Sequence, residues 1–551
     1  MKNREDYRIV INKSNLDLDS FYENKFKVNL NRVTFIFITI FILIILYSTR
    51  VIYLSSKTLK NNVSTINKIN RADIIDRNGN YISKSVFTTN VGIDPKLIKN
   101  KKKFLLKLQY TFPDKNFEEI KKKVYGQKFF YIEKKIVPEK FNKIKLLGEK
   151  SIRLEKKITR IYPDKNLFSH VIGQIDDDNK GISGIEKSFD KKLKDGRDKL
   201  MLTLDKNLQF IIRNELLNAQ KIFKNIGGAG ILMNINTGEI LSLVSVPDFD
   251  LNSRKQISDI SFINRATKGV YELGSVFKSF TIGAALNYSL ISPNDMFLNL
   301  EKKMKCGGRI ISEYDENLPK DLSVEDILVY SSNIGSVKIG QIIGQEKLRQ
   351  FLEKIGILGK LKFDIEEIGS PLPFKWRDCK LKTVSYGHGI TTTPIQLAKG
   401  YAILANGGYD IRPTLIKKEF HNLKKKRILN KNLSSQINTM FRKVVQKGTA
   451  TLSDVDGYEV GGKTGTAQIV EKGVYTNKKI NTFASIFPSS NPKYVLIVLL
   501  EDTKLSKNYV YKYRNKPGSY KGTPFNTAGW TSVEISGKII DKIGPILATK
   551  Y

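Results

Sequence analysis

Three short stretches of this chain bring together a hydroxyl nucleophile, a base for it and a cation that attracts a carboxylate. They are Ser275-Val276-Phe277-Lys278, Ser331-Ser332-Asn333 and Lys463-Thr464-Gly465-Thr466, in that order. A serine hydroxyl attacks a carbonyl only once a base takes its proton, and lysine is that base only when neutral. Lys278 follows Ser275 by three residues, one helical turn along the same face, so its amine reaches the serine oxygen. Ser331 is suited to relay a proton to a leaving amine, and Asn333 to hold Lys278 or a substrate amide. Helix capping is the plainer use of both. Lys463 attracts a carboxylate, and its charge opposes protonation of a neighbouring Lys278. Thr464 and Thr466 add hydroxyl donors, and Gly465 lets a ligand approach the strand. Gly457 to Thr464 has the Gly-x-x-x-x-Gly-Lys-Thr spacing of a phosphate loop, but the run continues as a strand and no helix follows at once, so it does not read as a nucleotide cradle. Each stretch alone is weak evidence. The ordered set defines a lysine-activated serine acyltransferase.

The elements that must position these groups follow from periodicity. Ser275 opens the apolar run Val276, Phe277, Phe280, Ile282, Ala284, Ala285 and Leu286, which predicts a buried helix with the serine in its first turn. Ser331 to Asn333 falls between helical segments at 323–330 and 334–343, hence at a turn facing a cleft. Lys463 lies in a Gly-rich strand, Tyr458 to Val470. Upstream, Leu202-Thr203-Leu204-Asp205 reads as a short strand and 207–219 as an amphipathic helix. Strands follow at 228–234 and 240–246 about the turn Asn236-Thr237-Gly238-Glu239. Further strands at 482–487 and 494–500 and a helix at 532–546 close the chain. Helices cluster between 275 and 405 with strands on either side, an α+β layout.

At 551 residues the chain exceeds one ordinary core and divides into several regions. We expect a tail at 1–32, a membrane anchor at 33–54, a module without visible chemistry at 55–200 and the catalytic domain at 201–551. The anchor is apolar from Val33 to Thr49 and extends through Arg50 to Leu54, enough to cross a bilayer. It is too long for the core of a cleaved signal, and no small-x-small site follows. Basic residues flank it on both sides with an excess before it, favouring a cytoplasmic N-terminus. The net charge of +39 reads as a lysine-rich composition spread over solvated faces. No nucleic-acid-binding motif concentrates it. Cys306 and Cys379 are the sole cysteines, which excludes a disulfide framework and leaves their pairing open. His170, His388 and His421 have no ligand spacing, so no metal is expected.

The three motifs match the signature of penicillin-binding proteins and serine β-lactamases, with Ser-x-Asn in place of Ser-Asp-Asn. The flanks extend the likeness. Arg71-Ala72-Asp73-Ile74-Ile75-Asp76-Arg77-Asn78-Gly79, Arg160-Ile161-Tyr162-Pro163, His170-Val171-Ile172-Gly173 and Gly181-Ile182-Ser183-Gly184-Ile185-Glu186 resemble the non-catalytic motifs of class B penicillin-binding proteins. Tyr271-Glu272-Leu273-Gly274-Ser275 resembles that family's approach to its nucleophile, and Tyr386-Gly387-His388-Gly389 another of its stretches, in which His388 is structural. Thr527-Ala528-Gly529-Trp530 is similar to a variant of the division-specific branch; the elongation-specific branch shares most motifs.

The resemblance implies an N-terminal transmembrane helix, an elongated pedestal and a C-terminal domain of helices packed on an antiparallel sheet. It implies that Ser275 attacks the carbonyl between the terminal D-alanines of a peptidoglycan stem peptide, with Lys278 as base, and that an amine of a neighbouring stem resolves the acyl-enzyme. Ser331, Asn333 and Lys463 would complete the catalytic set, while Thr464, Gly465 and Thr466 bind the substrate. No cofactor is implied. The implied partners are the stem peptides of the lipid-linked precursor polymer, β-lactams, a membrane glycan polymerase and other division proteins. The implied location is the bacterial inner membrane, with the catalytic domain in the periplasm. A hydrolase of small substrates needs neither pedestal nor anchor. A penicillin sensor needs a cytoplasmic effector, and a non-catalytic scaffold would lack part of the reactive set.

Overall fold

The computed structural model describes residues 30–67, 71–136, 138–196, 198–253, 259–418, 426–471 and 473–550. The chain divides into two units, Met1–Lys68 and Ile69–Tyr551. In the first unit a helix runs over Leu30–Asn67, and its segment Leu30–Ser55, 26 residues, is apolar and long enough to span a membrane. The hydroxyls of Thr34 and Thr39 donate to the carbonyls of Leu30 and Phe35, which satisfies them inside an apolar segment. The expected anchor lies within this helix. Most of the expected tail, residues 1–29, lies outside the described residues, as does His421.

The second unit begins with a sheet built around the long strand Tyr81–Ile93, which pairs antiparallel with Ile74–Ile75, Phe130–Ile136 and Ile152–Ile161. Leu200–Met201 joins Ile74–Ile75 in parallel. That corrects the strand expected at Leu202 to Asp205. Leu202 and Leu204 are wholly buried in the core, and the Asp205 carboxylate accepts from the backbone of Asn207 and Leu208, capping the helix Lys206–Phe223. A Leu-x-Leu alternation there marks core insertion ahead of a helix cap, with a single isolated bridge from Leu202 to Ile416 in place of a strand. The outer part of this module has a small core of its own, including Phe104, Leu108, Val124 and Ile144, beneath the helices Lys101–Thr111 and Phe117–Tyr125.

One buried charge cluster organises the module. Glu186 accepts from Arg71 Nε at 2.5 Å, Arg160 Nε at 2.8 Å and the Ser83 hydroxyl at 3.1 Å. The side chains of Arg71, Arg160 and Glu186 are essentially unexposed, so each charge depends on its partners. Next to it, the Gly184 amide donates to Glu367 Oε1 at 3.0 Å, tying the module to a loop of the catalytic domain.

The catalytic domain centres on a five-stranded antiparallel sheet in the order Gly461–Glu471, Val474–Phe487, Tyr494–Glu501, Gly227–Asn234, Ile240–Val246. Nearly every residue of the last three strands is buried, so both their faces are covered. Helices Lys206–Phe223, Pro394–Ala405, Lys431–Gln446 and Ser532–Lys550 pack on the sheet. Leu208, Ile212 and Leu216, at the helical period read from the sequence, are fully buried, as is Phe223 in the last turn beyond the expected helix end, each contributing roughly 1.5–3 kcal/mol. Cys306, on the hairpin of Lys303–Cys306 and Arg309–Ser312, is disulfide-bonded to Cys379 in the helix Asp378–Ser385, settling the pairing left open above.

Replacing Glu186 with alanine leaves the buried Arg160 guanidinium without its carboxylate and Arg71 with Asp190 alone, and we predict a loss of about 3–5 kcal/mol. Thermal unfolding of the full chain in detergent checks this; an unchanged midpoint would show that the cluster is not holding the module.

Candidate active site

The nucleophile turn is shaped by backbone contact with the sheet edge. Gly274 has φ of 62°, and a 3₁₀ turn over Gly274–Phe277 leads into the helix Lys278–Asn287. Ser275 therefore precedes the α-helix whose first turn was expected to carry it. The left-handed residue before it redirects the chain, and a tight turn absorbs the change. In a 3₁₀ turn, positions three apart eclipse, so Ser275 and Lys278 lie on one side of the turn. A Cβ at Gly274 would lie 2.6 Å from the carbonyl oxygen of Thr466, and one at Gly465 2.2 Å from that of Leu273. Only glycine at both positions lets the strand and the turn lie this close.

Behind this turn two lysines meet at one hydroxyl. Lys278 Nζ donates to the Ser331 carbonyl at 2.5 Å, the Ser331 hydroxyl at 3.0 Å and Asn333 Oδ1 at 2.7 Å. Lys463 Nζ donates to the same Ser331 hydroxyl at 2.9 Å and to the Thr464 carbonyl at 3.2 Å. Ser331 sits at φ 64° between the helices Val324–Val329 and Asn333–Ile343, a conformation that turns its carbonyl and its hydroxyl to the same amine. Among the described residues, Lys278 and Lys463 are the buried lysines of this Lys-rich chain. Burial lowers Lys278 to about 7, against the opposing pull of Glu313. Lys463 is held well below its usual range by burial and by the charge of Lys278. The pair disfavours two charges at neutral pH.

In front of the lysines lies a cleft of about 740 Å³, lined by Ser275, Ser331, Asn333, Thr464 and Thr466 together with the aromatic residues Tyr330, Tyr386, Phe525 and Trp530. The strand Gly461–Glu471 thus sets its threonines on the cleft while Lys463 is buried. Thr464 and Thr449 share a hydrogen bond between hydroxyls at 2.7 Å. The Thr466 hydroxyl donates to Asn481 Oδ1 at 3.1 Å and accepts from the Ala528 amide at 2.9 Å, so the framework already holds it. His388 lines the cleft, stacked against Tyr475 at 4.7 Å and Tyr386 at 5.9 Å, with Nδ1 3.6 Å from Glu272.

All the predicted site residues therefore come to one place, five of them on the cleft wall and Lys278, Lys463 and Gly465 in the packing around it. Sequence reasoning missed Glu313, Thr449 and Tyr475. Glu313 accepts from the Ser332 hydroxyl and from the Asn333 and Ile334 amides. It belongs to no motif and stands 18 residues before Ser331, so local spacing holds no signal for it.

Comparison with known proteins agrees with this geometry. Residues 228–519 match the penicillin-binding protein transpeptidase domain, and residues 66–221 match the penicillin-binding protein dimerisation domain. The chain belongs to the penicillin-binding transpeptidases, in their class B branch. It is 28% identical over 497 residues to a probable peptidoglycan D,D-transpeptidase FtsI of Caulobacter vibrioides, covering 87% of this chain and 82% of that protein. It is 30% identical over 517 residues to the peptidoglycan D,D-transpeptidase FtsI of Buchnera aphidicola from Schizaphis graminum, covering 85% and 90%. Its fold resembles that of penicillin-binding protein 3 of Mycobacterium tuberculosis, solved with aztreonam, with a TM-score of 0.65, 21% identity and 87% and 97% of the two chains covered.

Because Lys278 accepts a proton only as the free amine, acylation should rise with pH through a limb near 7, the position burial gives it. Below that limb the ammonium form dominates and acylation falls about tenfold per pH unit. Second-order acylation rates with benzylpenicillin across the pH range check this; a limb in the ordinary lysine range, about 10.4, would contradict it.

Proposed function

We propose that this chain is the division-specific peptidoglycan D,D-transpeptidase of its cell, cross-linking stem peptides at the septum through an acyl-enzyme on Ser275. The observation that carries the reading is the chain of hydrogen bonds Lys278–Ser331–Lys463 behind the cleft that Ser275 lines. Neutral Lys278 takes the Ser275 proton as the oxygen attacks the carbonyl between two terminal D-alanines. The backbone amides of Ser275 and Thr466 hold the oxyanion, at about 2.7–4 kcal/mol per donor. Ser331 passes a proton to the leaving D-alanine nitrogen, and Asn333 keeps Lys278 aimed. Lys463, Thr464, Gly465 and Thr466 receive the terminal carboxylate, whose charge favours the protonated form of Lys463 once bound. An amine from a second stem then takes the acyl group and regenerates the serine. These steps need neither metal nor organic cofactor. β-Lactams acylate the same serine because they present the same carbonyl and carboxylate, and the aztreonam complex of the M. tuberculosis relative supports that expectation.

The division assignment follows from relatives named FtsI. In this reading residues 1–32 are cytoplasmic, 33–54 anchor the chain in the inner membrane, 55–200 form the pedestal and 201–551 form the periplasmic catalytic domain. The Cys306–Cys379 bridge suits an oxidising compartment. The pedestal faces a membrane glycan polymerase and other division proteins, and no nucleic acid is a partner.

Ser275→Ala should abolish labelling of the full chain by fluorescent penicillin and fail to restore septation in depleted cells, while a fluorescent fusion of the unaltered chain gathers at midcell. Undiminished labelling of the variant would overturn the nucleophile, and uniform side-wall fluorescence would overturn the division role.

A further inference from the structure

The Ser331–Asn333 turn does not hold its own shape. Its outer face is gripped by a carboxylate from a separate hairpin, Lys303–Cys306 paired with Arg309–Ser312. Glu313, the next residue, accepts from the Ser332 hydroxyl at 2.6 Å, the Asn333 amide at 2.7 Å and the Ile334 amide at 2.9 Å. The Ser332 hydroxyl in turn accepts from the Gly335 amide at 2.9 Å, so the carboxylate and the serine cap the helix Asn333–Ile343 jointly. The Asn333 side chain is fixed from the same hairpin. Its Nδ2 donates to the Ser312 carbonyl at 2.8 Å, which leaves Oδ1 facing Lys278 at 2.7 Å. An amide with its nitrogen committed in this way cannot flip and present a donor to the lysine. The hairpin is itself clamped at its turn end, because Cys306, paired with Arg309 there, is bridged to Cys379 in the helix that leads to Tyr386 and His388 on the cleft.

We propose that Glu313 is a positioning residue for Lys278: it fixes the Ser331–Asn333 turn so that three acceptors face the amine, and the Cys306–Cys379 bridge holds its hairpin in register. Glu313 touches no reacting atom. It acts through Asn333 and Ser331, and its charge also bears on the lysine. The charged groups facing Lys278 are Glu313, which favours the ammonium, and Lys463, which opposes it. Removing the carboxylate charge therefore moves the acid limb of acylation to lower pH, while the loosened turn lowers the rate on the plateau. A purely structural role would leave the limb where it was.

The proposal rests on the acyl-serine reading above, and the test separates the two. Penicillin acylation is followed against pH for the full chain in detergent, as unaltered protein and as Glu313→Gln, Glu313→Asp and the double variant Cys306→Ser/Cys379→Ser. Glu313→Gln should lose roughly 10- to 100-fold on the plateau, the worth of about one charge-assisted hydrogen bond, with its limb displaced to lower pH. Glu313→Asp should recover part of the rate and return the limb. The double cysteine variant keeps the charge, so it should lose rate several-fold with the limb unmoved, and it stands as an independent arm if Glu313→Gln does not fold. An unshifted limb in Glu313→Gln, or a double variant as fast as the unaltered chain, overturns the corresponding half of the proposal while the acyl-serine reading stands. Absence of acylation in the unaltered chain would instead remove that reading.

Discussion

Two ammonium groups cannot share one buried hydroxyl at full charge, and the active site is arranged around that conflict. Lys278 and Lys463 both reach Ser331 Oγ, at 3.0 and 2.9 Å, with no exposure to water. Desolvation penalises each charge, and each charge penalises the other. The outcome is an amine free enough to accept a proton near neutral pH, next to a second site able to hold one. A lysine on the surface of this strongly basic chain would offer neither property. The chemistry therefore depends on burial as much as on residue type.

That burial is a product of the whole domain. The helix Lys278–Asn287 is enclosed on nearly all sides, with Lys278 at its first position. Lys463 is carried in by the edge strand Gly461–Glu471, which reaches the nucleophile turn because Gly274 and Gly465 bring no side chain to the contact. Ser331 is held at positive φ between two helices so that its carbonyl and hydroxyl meet the same amine. Each of the three motifs brings one element of different type, a 3₁₀ turn, an inter-helix turn and a strand, to a point that none reaches alone. The strain at Ser331 is compensated by the hydrogen bonds that Ser332 and Asn333 make to the neighbouring hairpin.

Much of this was legible in the sequence where local pattern and final burial coincide. The helix Lys206–Phe223 follows from the spacing of Leu208, Ile212 and Leu216, and the strands Gly227–Asn234 and Ile240–Val246 follow from apolar runs flanking an Asn-Thr-Gly turn. The reactive residues were legible because their types and order are restrictive. What was not legible depends on contacts between distant segments. Glu313 becomes meaningful only when its hairpin docks on the Ser331 turn, and Tyr475 only when the return strand brings its ring against His388. Leu202 to Asp205 misled because an alternating pattern also suits residues inserted in a core ahead of a helix cap. The cysteine bridge, 73 residues apart in sequence, is likewise a consequence of folding that spacing does not encode.

The account stands on Lys278 being a free amine at neutral pH. Its protonation can be read by NMR titration of the full chain labelled at the lysine ε-carbons, with the Lys278 resonance identified by its loss in Lys278→Met. A midpoint near 7 is the result the buried pair predicts. A midpoint in the ordinary lysine range, about 10.4, would contradict it, because the proposed base would then be protonated throughout the range in which the protein works.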